Sequence, residues 1–299
     1  MNLNDENEYV IKENEYVTVT RMGHVVEVQH MLKKNTTNHT LKLDADRYMV
    51  IETGEILEYQ KSTTRADNMN SLRKTFKKLR YLINYNFKGK RNELFLTLTF
   101  AQESFDNGMV TDETKKFMKR LKYRYKEQTT VDYLSVVEPH ASGQWHLHVL
   151  LRFNELDSVF IPHQELSAMW GQGIIDVKRL EDVDNIGAYL SAYLADYPVP
   201  DDYEPKGKTT EVIVKRVDGK EKKFIKGGRL DWYPPGMNFY RKSKGIVFPE
   251  REDMPYKKAK KIVGSAKPHF KKSYHVEKDD FKNTITYEQY NLKRQQNDS

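Results

Sequence analysis

Short apolar segments alternate with longer amphipathic ones through the middle of the chain. The short segments predict buried strands at residues 94–100, 133–137, 145–151 and 174–180. The longer segments predict helices at residues 112–126, with Thr111 or Asp112 as the N-cap, and at 162–170, ended by Gly171. The order β-α-β-β-α-β is that of a ferredoxin-like or RRM-like split βαβ unit. We therefore expect an α+β fold with an antiparallel sheet and helices on one face.

The segments on either side suggest how the chain is organised. Apolar side chains recur at helical spacing within residues 65–85, and residues 183–197 predict a helix closed by Pro198. Asp218-Gly219 lies between two apolar segments, as in a hairpin. We predict four regions: an N-terminal β-rich extension (1–64), a core with its preceding basic helix (65–200), a C-terminal hairpin extension (201–255) and a basic tail (256–299). We expect the tail to be a loosely packed helix or disordered.

Composition narrows the class of protein. The 299 residues include no cysteine, which excludes disulfides and thiolate zinc sites. No apolar run is long enough to span a membrane, and the first residues are acidic and polar, unlike a secretory signal. We therefore expect a cytoplasmic protein with no membrane partner. The net charge of +7 favours a polyanionic partner.

The basic residues are clustered, and tyrosines are interleaved with them. Cations pair with phosphates while aromatic rings stack on bases, so this composition is typical of proteins that bind single-stranded nucleic acid. The residues that we expect to bind DNA fall in the two basic helices: Arg73, Lys74, Lys77 and Lys78 in the first, and Lys119, Lys122 and Arg124 in the second.

A pair of histidines stands in the third predicted strand. Because side chains alternate along a strand, His146 and His148 project from one face. Glu138 ends the preceding strand, and the turn between the strands brings its carboxylate beside the histidines. Two imidazoles and a carboxylate suit Mg²⁺ or Mn²⁺ and leave positions open for a phosphate oxygen. The alternative is that one imidazole is a hydrogen-bonded core residue and the other a chance neighbour.

Tyrosines recur every four residues in the last predicted helix. Tyr189, Tyr193 and Tyr197 would therefore share one helix face, an arrangement that ordinary packing also produces. A phenol with a pKa of about 10 is a poor nucleophile at neutral pH. It becomes useful when a metal polarises the phosphate that it attacks and a neighbouring group takes its proton.

Three of these segments, taken in order, resemble the three motifs of the HUH endonucleases, and most closely those of the rolling-circle replication initiators of bacterial plasmids and phages. The segments are Leu-Phe-Leu-Thr-Leu-Thr-Phe (94–100), Trp-His-Leu-His-Val-Leu-Leu (145–151) and Tyr-Leu-Ser-Ala-Tyr-Leu (189–194). The resemblance covers about a third of the chain, and residues 65–100 and 237–245 are similar more weakly.

The resemblance implies an HUH endonuclease fold and a role for each candidate residue. His146 and His148 would bind the metal with Glu138 as third ligand, and Tyr189 and Tyr193 would be the nucleophiles. Many relatives carry lysine three residues after each tyrosine, where this chain has Ala192 and Asp196. A step that depends on lysine would therefore be absent here, or would use a cation from elsewhere in the chain.

The resemblance also implies a reaction. A tyrosine would nick one strand at an origin, leaving a 5′-phosphotyrosine and a free 3′-OH for a host polymerase, and would later rejoin the strand. The chain lacks a Gly-x-x-x-x-Gly-Lys-Ser/Thr loop, so we expect a host helicase to unwind the duplex. The oligomeric state is left open.

Three other interpretations compete with this one. A mobilisation relaxase or single-strand transposase of the same fold would make the same nick. A basic DNA-binding regulator would use the histidines structurally. A histidine-triad nucleotide hydrolase would need a third histidine at position 150, where this chain has Leu150.

Overall fold

The computed structural model describes residues 8–34, 38–60, 69–102, 106–139, 144–180, 187, 196–200, 212–217, 220–225, 228–233, 237–278 and 281–294. The chain divides into two compact units, one formed by Met1–Ser62 with Pro249–Ser299 and the other by Thr63–Phe248. This division differs from the four consecutive regions expected, because the two ends of the chain fold together. None of the described helices is long and apolar enough to cross a membrane.

The helices and strands are numbered in chain order. They are β1 (Tyr16–Met22), β2 (Val25–Met31), β3 (Thr40–Lys42), β4 (Arg47–Val50), β5 (Ile56–Glu58), α1 (Met69–Asn86), β6 (Glu93–Thr99), α2 (Asn107–Tyr125), β7 (Val131–Pro139), β8 (Trp145–Phe153), α3 (His163–Trp170), β9 (Ile175–Lys178), β10 (Tyr197–Val199), β11 (Val212–Val217), β12 (Lys220–Ile225), β13 (Tyr240–Lys242), β14 (Arg251–Pro255), α4 (Tyr256–Val263), β15 (Phe270–Lys278) and β16 (Phe281–Asn291). The predicted α+β class is confirmed.

The Thr63–Phe248 unit is built on a five-stranded sheet of order β13-β7-β8-β6-β9. Its strand pairs are antiparallel. The inner order β7-β8-β6-β9, with α2 and α3 as the connections, is the arrangement of a split βαβ unit. The histidine strand β8 therefore lies at the centre of the sheet, between β7 and β6.

Both faces of this sheet are covered, whereas helices were expected on one face only. On one face α2 and α3 pack against alternate residues of β8, such as Leu147 and Val149. On the other face Leu79, Leu82 and Ile83 of α1 pack in a cluster with Leu150. The helix predicted over 65–85 thus supplies the cover for the second face.

Helix α3 ends as predicted, and helix α2 begins earlier than predicted. Gly171 closes α3 in the left-handed conformation, with a φ of 66°. The carboxylate of Asp106 caps α2 by accepting from the N–H of Gly108, so the predicted caps at Thr111 and Asp112 are wrong. The additional turn is held by packing, since Val110 is fully buried.

The predicted C-terminal extension contributes to this sheet and to a smaller one. Strand β13 adds to β7, where Tyr240 lies opposite Val136. The Asp218-Gly219 hairpin is confirmed by its flanking strands, because Val217 pairs with Lys220, although residues 218 and 219 lie outside the described part. Strand β10 pairs with β12 to complete a three-stranded sheet.

The other unit corrects the expectation of a loose or disordered tail. Strands β14, β15 and β16 join β1 and β2 in a five-stranded sheet of order β14-β1-β2-β16-β15. Helix α4 covers one face, where Ala259 and Val263 pack against valines of β1 and β2. The lysines that suggested disorder lie mostly on the exposed side of α4, and the buried positions of β16 include threonine and asparagine. A polar composition therefore did not indicate that this segment forms a regular strand.

Candidate functional site

The histidine pair lies on the face of the central sheet that α1 covers. His146 and His148 alternate with the residues that contact α2 and α3, and they share their face with Leu150. Across the strand pair, Glu138 of β7 is the direct partner of His146. The hairpin thus brings the predicted carboxylate beside the predicted histidines.

The imidazole of His148 is held from three sides. Its Nε2 contacts Oε2 of Glu138, and its Nδ1 lies 3.3 Å from the hydroxyl of Thr97 on β6. The Phe95 ring stacks on it with centroids 5.5 Å apart. A neutral imidazole satisfies both polar contacts when Nε2–H donates to Glu138 and Nδ1 accepts from Thr97. The hydroxyl can equally accept from Nδ1–H, which would free Nε2 to bind a metal.

The protonation state of His148 favours a ligand role. Burial, with a smaller contribution from the Lys178 ammonium, lowers the pKa of His148 from 6.5 to about 4. The ring is therefore neutral at pH 7, and neutral imidazole is the form that coordinates metal ions.

Arg229 is a residue of this site that the sequence did not identify. Its guanidinium forms an ion pair with Oε1 of Glu138 and donates to the carbonyl oxygen of Pro139 at 3.0 Å. The side chain is 9% exposed, and burial lowers its pKa. Arg229 follows Gly227-Gly228 in a segment without a recognisable motif. Only the long-range fold brings it to Glu138.

The donor set suits a divalent metal, although the complete ligand group is not assembled. Over the described residues, no three or more His, Cys, Asp or Glu side chains are arranged to hold a metal ion. The metal-binding atoms of Glu138 and His148 nevertheless lie in contact with each other. One Glu138 oxygen contacts His148, and the other pairs with Arg229. The three-ligand set therefore stays a prediction, with Glu138 as the residue that would have to adjust.

The predicted nucleophiles Tyr189 and Tyr193 lie outside the described residues. Gly187 is described, and its N–H donates to the side chain of Asn84 on α1 at 2.8 Å. A Cβ at this position would come within 2.8 Å of the same amide oxygen. The segment leading to Tyr189 is thus attached to the helix that covers the histidine face. Tyr197 lies in strand β10, so its predicted place in the helix is wrong.

The structure separates the predicted DNA-binding residues into two groups. Arg73, Lys74, Lys77 and Lys78 belong to α1, the helix on the histidine face, whereas Lys119, Lys122 and Arg124 belong to α2 on the opposite face. On α2, Arg124 forms an ion pair with Glu165 at 2.6 Å. The Lys122 ammonium lies 5.3 Å from the centre of the Tyr133 ring.

Comparison with known proteins gives a match to one family over part of the chain. Residues 93–197, about a third of the chain, match the family described as replication-associated protein ORF2. No curated protein and no solved structure matches the chain. The matched segment begins at β6 and contains Glu138, both histidines and both predicted nucleophiles. The match indicates a replication-associated protein and is consistent with a rolling-circle replication initiator.

Proposed function

We propose that this protein is a rolling-circle replication initiator of the HUH endonuclease fold. It nicks one strand at an origin, stays attached through a 5′-phosphotyrosine and later rejoins the strand. The observation that carries the proposal is the pairing of Glu138 with His146 and its contact with His148. A carboxylate and two imidazoles thus share the sheet face that α1 covers, and Gly187, two residues before Tyr189, donates its N–H to Asn84 of that helix.

The proposed chemistry assigns a task to each group. His146, His148 and Glu138 would hold Mg²⁺ or Mn²⁺, which withdraws charge from the scissile phosphate. Tyr189 or Tyr193 attacks the phosphorus in line as its phenol gives up a proton to water. The bond to the 3′ oxygen breaks, and that oxygen takes a proton from water and leaves as the 3′-OH. Because the phosphotyrosyl ester is a phosphodiester like the bond it replaces, the reverse attack by a 3′-OH needs no ATP. The second tyrosine can cleave at the end of a round while the first still holds DNA.

Residues next to the proposed ligands hold the ligand side chains in place. Thr97 fixes the orientation of the His148 ring, and Phe95 limits its rotation. Arg229 neutralises Glu138 inside the protein, where an isolated carboxylate would be unfavourable. The α1 cations belong to the helix that covers this face and would pair with phosphates of the bound strand.

A covalent-capture assay tests the proposal and does not require the origin sequence. Protein is incubated with Mn²⁺ and single-stranded oligonucleotides that share a randomised central segment, and adducts are separated on a denaturing gel. We expect an adduct that EDTA prevents and whose DNA shares a cleavage sequence. Replacement of both Tyr189 and Tyr193 by Phe should abolish it, and His148→Ala should reduce it strongly, whereas His39→Ala, an exposed histidine of the other unit, should not.

A non-catalytic DNA-binding regulator is the main alternative. It predicts retained DNA binding with no adduct at any metal concentration. That outcome in a folded protein would exclude the nicking proposal.

A further inference from the structure

The five-stranded sheet of the Met1–Ser62 and Pro249–Ser299 unit has a second face, which is buried at Met22, Val25 and Glu27 of β1 and β2 and accessible along its edge at β15 and β16. Its first face packs against α4 through residues such as Val26, Val28 and Tyr290. Side chains that alternate with these project from the opposite face. On β15 and β16 they include four aromatic residues: Phe270, Tyr274, Phe281 and Tyr287. None of the four belongs to a buried cluster.

The four rings are accessible and close to positive charge. Phe270 is 41% exposed and Phe281 is 44% exposed, while Tyr274 and Tyr287 are half-buried and lie edge to face with centroids 5.9 Å apart. The Lys272 ammonium is 5.4 Å from the centre of the Tyr274 ring. The Lys33 ammonium is 5.7 Å from that of Phe281. One lysine thus lies between Phe270 and Tyr274, and the other lies beside Phe281.

Polar side chains continue this face onto the neighbouring strands. Tyr287 lies opposite Gln29 of β2. The buried carboxylate of Glu27, on the same strand, accepts from the side-chain amide of Gln289 at 2.8 Å. Asp253, on the far edge strand, forms an ion pair with a lysine at 2.7 Å. Both carboxylates are engaged by partners and Glu27 is buried, so the accessible part of this face is the aromatic edge with its lysines.

We propose that this face, formed by Phe270, Tyr274, Phe281 and Tyr287 with Lys272 and Lys33, binds single-stranded nucleic acid. Exposed rings on an antiparallel sheet stack on unpaired bases, while neighbouring lysines pair with phosphates. A duplex does not offer its base faces and is a poor ligand for such a surface. Phe281 to Tyr287 extend about 20 Å at about 3.4 Å per residue, enough for a few nucleotides. The inference is independent of the proposed nicking reaction.

Photo-crosslinking tests this proposal directly, because it locates the contact whatever the other unit binds. The full-length protein is irradiated with single-stranded DNA carrying 5-iodouracil, and crosslinked peptides are identified by mass spectrometry. We expect crosslinks in residues 270–287, which an excess of unlabelled single strand removes and an excess of duplex does not. Crosslinks found only within Thr63–Phe248 would overturn the proposal. A parallel arm with single-stranded RNA distinguishes the two nucleic acids.

Crosslinking of ring variants supplies the matched comparison. Loss of one stacked ring weakens single-strand binding by about 5- to 100-fold, so Tyr274→Leu/Tyr287→Leu should reduce crosslinking in this segment at least as much. The phenylalanine versions of both substitutions should restore it, because phenylalanine still stacks. Tyr59→Leu, at an exposed tyrosine outside this sheet, should leave crosslinking unchanged. A thermal melt shows whether the leucine variant is folded. If the folded variant crosslinks as the wild type does, the face is not a nucleic-acid site. The same conclusion follows if the substitutions dissociate a dimer instead of reducing crosslinking.

Discussion

Replacing Arg229 by methionine should destabilise the Thr63–Phe248 unit by about 3 kcal/mol. The guanidinium and the Glu138 carboxylate that it meets are each 9% exposed. Breaking a buried ion pair from one side costs about 3–5 kcal/mol, because the remaining charge stays buried without its partner. We expect the lower end of this range, since Glu138 keeps its contact with His148.

Tryptophan fluorescence during urea unfolding measures this loss selectively. The three tryptophans of the chain, Trp145, Trp170 and Trp232, all lie in the Thr63–Phe248 unit. Glu138→Gln alone should also destabilise the unit, and the double variant should lose less than the sum by about 2 kcal/mol. Arg124→Met is a matched control, because its ion pair with Glu165 is half exposed and contributes less than about 1 kcal/mol. Additivity of the Arg229 and Glu138 losses within about 0.5 kcal/mol would refute their direct pairing.

Three further predictions concern pH, the link to Tyr189 and DNA binding. Because the folded state lowers the pKa of His148 from 6.5 to about 4, the unfolded state binds the proton more readily. The free energy of unfolding should therefore fall by up to about 3 kcal/mol between pH 6.5 and 4. Urea titrations at several pH values measure this dependence, which should be weaker in His148→Gln. Gly187→Ala should lower the adduct yield in the capture assay, because the added Cβ would collide with Asn84. An unchanged yield would show that the contact between Gly187 and Asn84 does not position the nucleophile. In salt-dependent anisotropy, Lys74→Glu should weaken single-strand binding more than Lys119→Glu, and equal effects would contradict the assignment of the site to the α1 face.

Local patterns predicted the central elements well. The alternating strands around His146 and the glycine that ends α3 depend on neighbours within a few residues, so period and capping rules suffice for them. The contact between Glu138 and the histidines also follows from local sequence, because a hairpin joins the two strands.

The remaining features depend on contacts between distant parts of the chain. Strand β13 pairs with β7 across about a hundred residues, and β16 pairs with β2 from the opposite end of the sequence. Arg229 reaches Glu138 by the same kind of long-range contact. The lysine-rich helix α4 looks solvated in isolation, and the valines of β1 and β2 give its Ala259 and Val263 a surface on which to pack.

The most direct test of the proposed nicking site is the identity of the residue that becomes attached to DNA. Wild-type protein is allowed to react with a cleaved single-stranded oligonucleotide and Mn²⁺, digested with protease and nuclease, and analysed by tandem mass spectrometry. We predict a nucleotide linked through its 5′ phosphate to Tyr189 or Tyr193. A nucleotide on any other residue, or a 5′-phosphate product with no protein attached, would contradict the proposed mechanism.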